Sequence, residues 1–358
     1  MGKKLFDYVI GNPPYQEETR DTSDKPVYNN FMDAAYKCAE AVELITPARF
    51  LFNAGKTPKA WNEKMLNDEH FKVLDYQQDS SKVFSNTDIK GGVAITYRDS
   101  RRDYGAIQVF TAFPELNSIK TKVIKVETIG SLGDLVFAPE SYKFAPKLHE
   151  DYPDLRYCED KDGNNSGVLS KGHDNDVVTN IFSKIPGIFV DTKTDNASYA
   201  GFIGLIGNKR YKKWIKREYI QDHPNLEKYK VILPKSNGSG AIGEVLSTPL
   251  IGEPLIGEPL IGATQSFISI GAFNTRGEAE ACLKYIKTKF ARTLLGILKV
   301  TQDNKKGVWK YVPLQDFTPA SDIDWSKSIH DIDLQLYRKY GLDEKEIGFI
   351  ESHVKEMA

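Results

Sequence analysis

Phe6-Asp7-Tyr8-Val9-Ile10-Gly11-Asn12-Pro13-Pro14-Tyr15 is the stretch whose reading decides the fold. Its first half is an apolar run of strand length, and Gly11 followed by two prolines ends it, because a Pro-Pro step removes two backbone donors and fixes φ. A rigid corner therefore follows the carboxyl end of a strand. With proline at about 5% of residues, a chance Asn-Pro-Pro-Tyr in a chain of this length is roughly a one-in-a-thousand event. The corner offers carbonyls without competing donors, the Asn12 amide oxygen as a further acceptor, and the flat face of Tyr15. That set of groups suits a planar aryl amine.

Working outward, the spacing predicts a helix over residues 29–38, a short apolar run at 41–47 stopped by Pro47, and a second helical stretch over 58–66. Strands are expected at 71–76 and 92–97, the latter entered through Lys90-Gly91-Gly92, so residues 1–110 read as part of an α/β sheet domain. Residues 111–130 read as a linker or edge. From 131 to 318 the apolar runs are short and separated by Gly, Asn, Asp and Pro, which predicts a loop-rich mixed domain, and 319–358 reads as a charged helical tail. Within the second domain, Pro249-Leu250-Ile251-Gly252-Glu253 recurs at 254–258 and, ending in alanine, at 259–263. Three tandem pentapeptides are too short for a solenoid and are expected to form an extended loop or edge segment. Residues 277–298 are expected to form one amphipathic helix, with Ala281, Tyr285, Thr288 and Leu295 on its packed face.

The chain has 358 residues, 40% of them hydrophobic, which is enough for a sizeable core and excludes disorder as the main state. Basic and acidic residues number 48 and 49, so any nucleic-acid surface must be a local patch. Cys38, Cys158 and Cys282 are too few and too scattered for a disulfide framework or a Cys-rich zinc site. No stretch approaches the ~20 apolar residues that span a bilayer, and the expected compartment is the cytoplasm. The histidines and the Asp174-Asn175-Asp176 and Asp322-Ile323-Asp324 stretches read as loop and cap residues, so no metal is expected. No paired-acid nuclease signature is present either.

Four segments carry a resemblance. Beside Asn12 to Tyr15 they are Leu44-Ile45-Thr46-Pro47-Ala48-Arg49-Phe50-Leu51, the stretch Val83-Phe84-Ser85-Asn86-Thr87-Asp88-Ile89-Lys90-Gly91-Gly92-Val93, and Lys230-Val231-Ile232-Leu233-Pro234-Lys235 with Thr264-Gln265-Ser266-Phe267. On these the sequence resembles the amino-DNA methyltransferases, specifically the adenine-specific Asn-Pro-Pro-Tyr enzymes and the methylase part of type II restriction-modification polypeptides. The resemblance implies a partial Rossmann-like methyltransferase domain followed by a mixed α/β target-recognition domain. It implies methyl transfer from S-adenosylmethionine to adenine N6 in a specific duplex sequence, with cytosine N4 as the lesser possibility. Asn12 and the Pro13 carbonyl, held by Pro14, would accept hydrogen bonds from the amine of a flipped adenine; Tyr15 would stack on the base and Phe84 would cover its other face.

The family places a Gly-rich donor loop before the catalytic strand, and this chain begins five residues ahead of that strand. Asn237-Gly238-Ser239-Gly240-Ala241 and the Gly201 to Gly207 stretch are weak substitutes that read as a turn and a strand. Cofactor-binding residues are thus left unassigned, and a further polypeptide supplying the donor-binding half is the expected partner besides double-stranded DNA. For DNA contact the candidates are Lys209, Arg210, Lys212, Lys213, Lys216 and Arg217, six cations interleaved with Tyr211 and Trp214, together with Lys235, Ser236 and Asn237. The rival reading is a non-catalytic DNA-binding or specificity subunit.

Overall fold

The computed structural model describes residues 4–17, 25–85, 89, 91–111, 113–126, 130–162, 164–236, 254–299 and 303–357. It divides into two compact units, Met1–Pro114 and Glu115–Ala358. None of the described helices is long and apolar enough to cross a membrane.

The first unit is built on strand β1 (Phe6–Gly11), a two-residue pair β2 (Gln16–Glu17) and β3 (Lys25–Pro26), helix α1 (Tyr28–Cys38), strand β4 (Ala39–Pro47), helix α2 (Lys59–Leu66), and strands β5 (Phe71–Gln77) and β6 (Val93–Asp99). One sheet has the order β1-β4-β6-β5. β1 lies parallel to β4, and β6 is antiparallel to both β4 and β5, so β1, β4 and β5 all run the same way. Helix α1 buries Tyr28, Met32 and Tyr36 on one side of the sheet, where Val42, Leu44, Phe50, Trp61, Met65 and Phe71 complete a core. The other face of β1 is uncovered: Phe6, Tyr8 and Ile10 are 56%, 46% and 71% exposed. Its outer edge has no strand partner among the described residues. A parallel strand is normally covered on both faces. The apolar strand expected from the sequence is therefore exposed on one side here.

The glycines before β6 have a steric reason. Gly92 has φ +74°, and a Cβ there would stand 2.3 Å from the Gln77 carbonyl oxygen, a position only glycine can fill.

The second unit opens with α3 (Pro114–Val126), within the segment expected as a linker; Leu116, Ile119 and Val123 recur at helical spacing and are buried. Short elements follow, β7 (Val136–Phe137), α4 (Pro146–Asp151) and α5 (Ile181–Lys184). Then come the hairpin β8 (Tyr199–Ile206) and β9 (Lys209–Lys216), β10 (Tyr229–Pro234), β11 (Leu255–Gly257), β12 (Ile261–Ala263) and β13 (Phe267–Phe273). They form two sheets, β11-β10-β13-β7 and β12-β8-β9, around a core that includes Phe144, Phe189, Phe202, Ile215, Ile232 and Phe267. The hairpin turns through Gly207 and Asn208, both at positive φ, as a two-residue turn matched to strand twist requires.

The second and third pentapeptide copies become edge strands of different sheets: β11 pairs antiparallel with β10, and β12 pairs parallel with β8. The first copy, and the Asn237 to Ala241 stretch, lie outside the described residues.

Helices α6 (Arg276–Lys287), α7 (Lys289–Gly296), α8 (Ile329–Lys339) and α9 (Glu344–His353) complete the unit. The single helix expected over 277–298 is thus two. Thr288 ends the first and caps the second, its hydroxyl donating to the Tyr285 carbonyl at 2.6 Å and accepting from the Ala291 amide at 3.1 Å. A threonine side chain competes with the helical ladder, which favours caps over interiors. Ala281, Tyr285, Thr288 and Leu295 are all buried nonetheless. The tail helix α8 is tied to α7 by Asp333, whose carboxylate accepts the Lys289 and Phe290 amides at 3.0 and 2.8 Å. Burial pushes that carboxyl up to about 6.

Candidate active site and nucleic-acid interface

Because β1, β4 and β5 are parallel, their carboxyl ends at Gly11, Pro47 and Gln77 share one rim, and β6 starts from the same rim at Val93. The connections leaving that rim are the Asn12 to Tyr15 corner and the segments 48–58 and 78–92. In open α/β sheets this is the end where ligands bind. Asn12 and Pro14 are exposed, while Pro13 and Tyr15 are half-buried. The corner is anchored from below: the Tyr15 carbonyl accepts the Val27 amide at 3.1 Å, and the Tyr15 ring packs against the core beneath the sheet.

Phe84 arrives at the same rim on the 78–92 segment. A turn over 80–82 shapes that segment. Asp79 caps it, accepting the Ser81 amide at 3.1 Å, and the Phe84 amide donates to the Ser80 carbonyl at 2.8 Å. The Tyr15 and Phe84 rings meet edge to face, with centroids 6.2 Å apart and planes at 71°. Two residues far apart in sequence are therefore in contact, although the rings are not parallel plates. The Tyr15 hydroxyl is buried without a hydrogen-bond partner among the described residues, and burial pushes it up to about 12. It stays a neutral phenol at physiological pH.

Arg49 is a framework residue: its side chain runs against Gly55 and Gly91. Phe52, Tyr76 and Phe110 form an edge-to-face trio with centroids 5.3 to 5.5 Å apart, partly buried against the same core. Sequence reasoning passed over this trio, because Phe110 lies beyond the last strand of the sheet and nothing in its flanking residues ties it to Phe52.

In the second unit the cations at 209–217 do not form a uniform patch. Lys209, Arg210 and Lys212 are exposed and have no carboxylate at ion-pair distance among the described residues. Lys213 pairs with Asp191 at 2.9 Å, Lys216 with Asp195 at 3.6 Å, and Arg217 with Glu227 at 3.5 Å. The Arg210 guanidinium lies 5.6 Å from the Phe267 ring centroid. Phe267 pairs with Pro234, and the Lys235 amide donates to the Ser266 carbonyl at 3.0 Å, so Arg210 and Lys235 border the same strand end. Lys235 is half-buried and Ser236 exposed; Asn237 lies outside the described residues. Sequence reasoning missed Lys193, which sits beside Trp214 through a loop pairing that no local pattern announces.

Of the two glycine stretches weighed as donor loops, only Gly201 to Gly207 lies among the described residues. The Gly201 to Gly207 stretch is β8 and its turn. A Cβ at Gly201 would stand 2.7 Å from Ile261 Cδ1, and one at Gly204 would stand 2.5 Å from Phe182 Cε2. Those glycines serve close packing and leave no room for a nucleoside. Among the described residues there is also no cluster of three or more His, Cys, Asp or Glu side chains that would hold a metal ion.

Residues 1–84 match the family described as Eco57I restriction-modification methylase. A curated protein of Mycoplasma pneumoniae described as an uncharacterized adenine-specific methylase is 29% identical over 98 residues, which cover 26% of this chain and 23% of that protein. Two solved structures also match. The type IIG restriction endonuclease BpuSI has a TM-score of 0.34 at 9% identity, over 92% of this chain and 48% of that one. The type IIL restriction-modification enzyme MmeI in complex with DNA has a TM-score of 0.41 at 10% identity, over 97% and 56%. The amino-terminal segment is thus similar to restriction-modification methylases, and the matched region spans less than a quarter of the curated relative.

Proposed function

We propose that this chain is the catalytic and target-recognition part of a restriction-modification DNA methyltransferase acting on adenine N6. The observation that carries this reading is the Asn12 to Tyr15 corner, exposed at the carboxyl end of β1 with Phe84 beside Tyr15. Asn12 Oδ1 and the Pro13 carbonyl accept hydrogen bonds from the exocyclic amine, which keeps its lone pair directed at the incoming methyl. A flipped adenine displaces the edge-to-face contact between Tyr15 and Phe84. That contact contributes about 0.5–1.5 kcal/mol, whereas base stacking on an aromatic ring contributes about 1–3 kcal/mol. The exchange favours the base and offsets part of the few kcal/mol needed to unstack it.

S-adenosylmethionine supplies the methyl group, and its site belongs to a segment outside the described residues. The bare apolar face and unpaired edge of β1 support that assignment, since a strand of this composition is stable when another layer covers it. The chain by itself is therefore expected to bind S-adenosylmethionine weakly or not at all in calorimetry, and submicromolar binding would place a complete donor site within these residues. The functional reading is tested by expressing the chain, together with the coding sequence directly upstream of it, in a methylation-free host and mapping N6-methyladenine. Methylation at one recurring sequence supports the reading.

The exposed Lys209, Arg210 and Lys212 of β9, which need no methyl donor to meet a duplex, fit equally well the rival, a DNA-binding specificity subunit. Duplex binding with no methyl incorporation in the same experiment decides for it.

A further inference from the structure

Strand β9 sorts its cations into two sets, and the loop before β8 does the sorting. Val190 and Trp214 exchange both backbone hydrogen bonds, at 2.9 and 2.8 Å, so the segment Asp191-Thr192-Lys193-Thr194-Asp195 leaves alongside β9. Its two aspartates neutralise Lys213 and Lys216. Lys193, between them, places its ammonium 4.4 Å from the Trp214 ring centroid, and Lys212 places its own 5.1 Å from the same centroid. Both lysines are exposed, and neither has a carboxylate at ion-pair distance among the described residues. The indole they share is held in place: a Cβ at Gly201 would stand 3.1 Å from Trp214 Cζ3, so the ring lies close on β8 where only a glycine admits it.

At 4.4 and 5.1 Å from one centroid the two ammonium groups are at most about 9.5 Å apart, within the Debye length of about 10 Å at 0.1 M salt, so they repel each other, and each cation–π contact at an exposed site contributes only about 0.5–1 kcal/mol. A single anion shared between the ammonium groups removes the repulsion. A phosphodiester has two free oxygens and one negative charge, and it accepts hydrogen bonds from both at once. We propose that Lys193 and Lys212, seated on Trp214, clamp one backbone phosphate of duplex DNA, while Lys213 and Lys216 stay with their aspartates and take no part. This deepens the reading of the second unit as DNA-binding and rests on it.

The test is fluorescence anisotropy with a labelled mixed-sequence duplex of about 25 base pairs, titrated between roughly 50 and 200 mM salt. Lys193→Ala/Lys212→Ala is expected to weaken binding roughly tenfold, as loss of charge-assisted hydrogen bonds does. The same variant is expected to lower the slope of log K against log salt by about 0.9, the value for one phosphate contact. Each single variant is expected to give most of that loss, because one phosphate is shared. The charge-neutral pair Asp191→Ala/Lys213→Ala is expected to bind like the unaltered chain. Unchanged affinity and slope in the Lys193/Lys212 double variant would overturn the clamp while leaving DNA binding intact. A double variant that lowers the slope by about 1.8, the two single losses adding in full, would assign the lysines to separate phosphates and overturn the sharing. An unaltered chain that binds no duplex overturns the DNA-binding reading and the clamp together.

Discussion

Asn12→Leu is expected to abolish adenine methylation in the host-mapping experiment, with incorporation reduced about 100- to 1000-fold, the usual cost of removing one positioned hydrogen-bonding group from a water-excluded site. Leucine keeps the branching and approximate size of asparagine and removes its acceptor. Asn12→Asp keeps an acceptor oxygen and is expected to retain a measurable fraction of activity. Folding does not confound the comparison: Asn12 is exposed beyond the end of β1, and substitutions at such sites usually change stability by no more than about 0.5 kcal/mol. Thermal melting and duplex affinity are expected to match the unaltered chain in both variants. If Asn12→Leu methylates normally, the corner does not grip the amine.

Lys230→Met is expected to be the most destabilising single change in the second unit. Lys230 is fully buried on β10, and its ammonium donates to the carbonyls of Leu226, Glu258 and Ile261 at 3.1, 3.1 and 2.9 Å. The Glu258 and Ile261 carbonyls lie where the second pentapeptide copy passes into the third, and Leu226 lies on the turn before β10. Methionine fills the space and removes all three bonds; the Leu226 and Glu258 carbonyls keep the Leu260 and Ile261 amides, at 2.7 and 3.0 Å, while the Ile261 carbonyl loses its ammonium donor. At about 1.5–3 kcal/mol for each hydrogen bond to a charged group, partly offset by no longer desolvating an ammonium, the net loss is of order 2–4 kcal/mol. Urea unfolding measures it, and hydrogen exchange localises it, with faster exchange expected at Leu255–Gly257 and Ile261–Ala263.

The same residue gives a pH signature. Burial pushes the Lys230 ammonium down from 10.5 to about 7. Between those values the unfolded chain holds a proton that the folded chain has released, so stability rises with pH across that window. Lys230→Met is expected to flatten this rise. A Lys230→Met chain as stable as the original, with an unchanged pH profile, removes the staple from the account.

The candidate site was legible in the sequence because its chemistry is local. Asn12 to Tyr15 needs no distant residue to be a stiff acceptor corner, since proline fixes φ wherever it stands. Phe84 was legible only through resemblance; its contact with Tyr15 depends on β1, β4 and β5 running parallel, which brings their loops to one rim. The basic run was legible as composition alone. Which of its lysines are neutralised was decided by Asp191 and Asp195 on a loop that reaches β9 through the Val190–Trp214 pairing.

The pentapeptide repeat marks the boundary most sharply. Sequence by itself established that 254–258 and 259–263 are near-identical, proline-started and extended in character. It had no means of separating them. In the fold, Leu255 begins a strand beside β10, while Leu260, at the same place in the next copy, takes a left-handed backbone at φ +64°. Leu260 holds that conformation because its amide donates to the Leu226 carbonyl at 2.7 Å and its carbonyl accepts the Gly201 amide at 2.8 Å. Local propensity is the same for identical residues, so the difference lies in which sheet edge each copy meets. Only the packing of β8 and β10 around their shared core settles that.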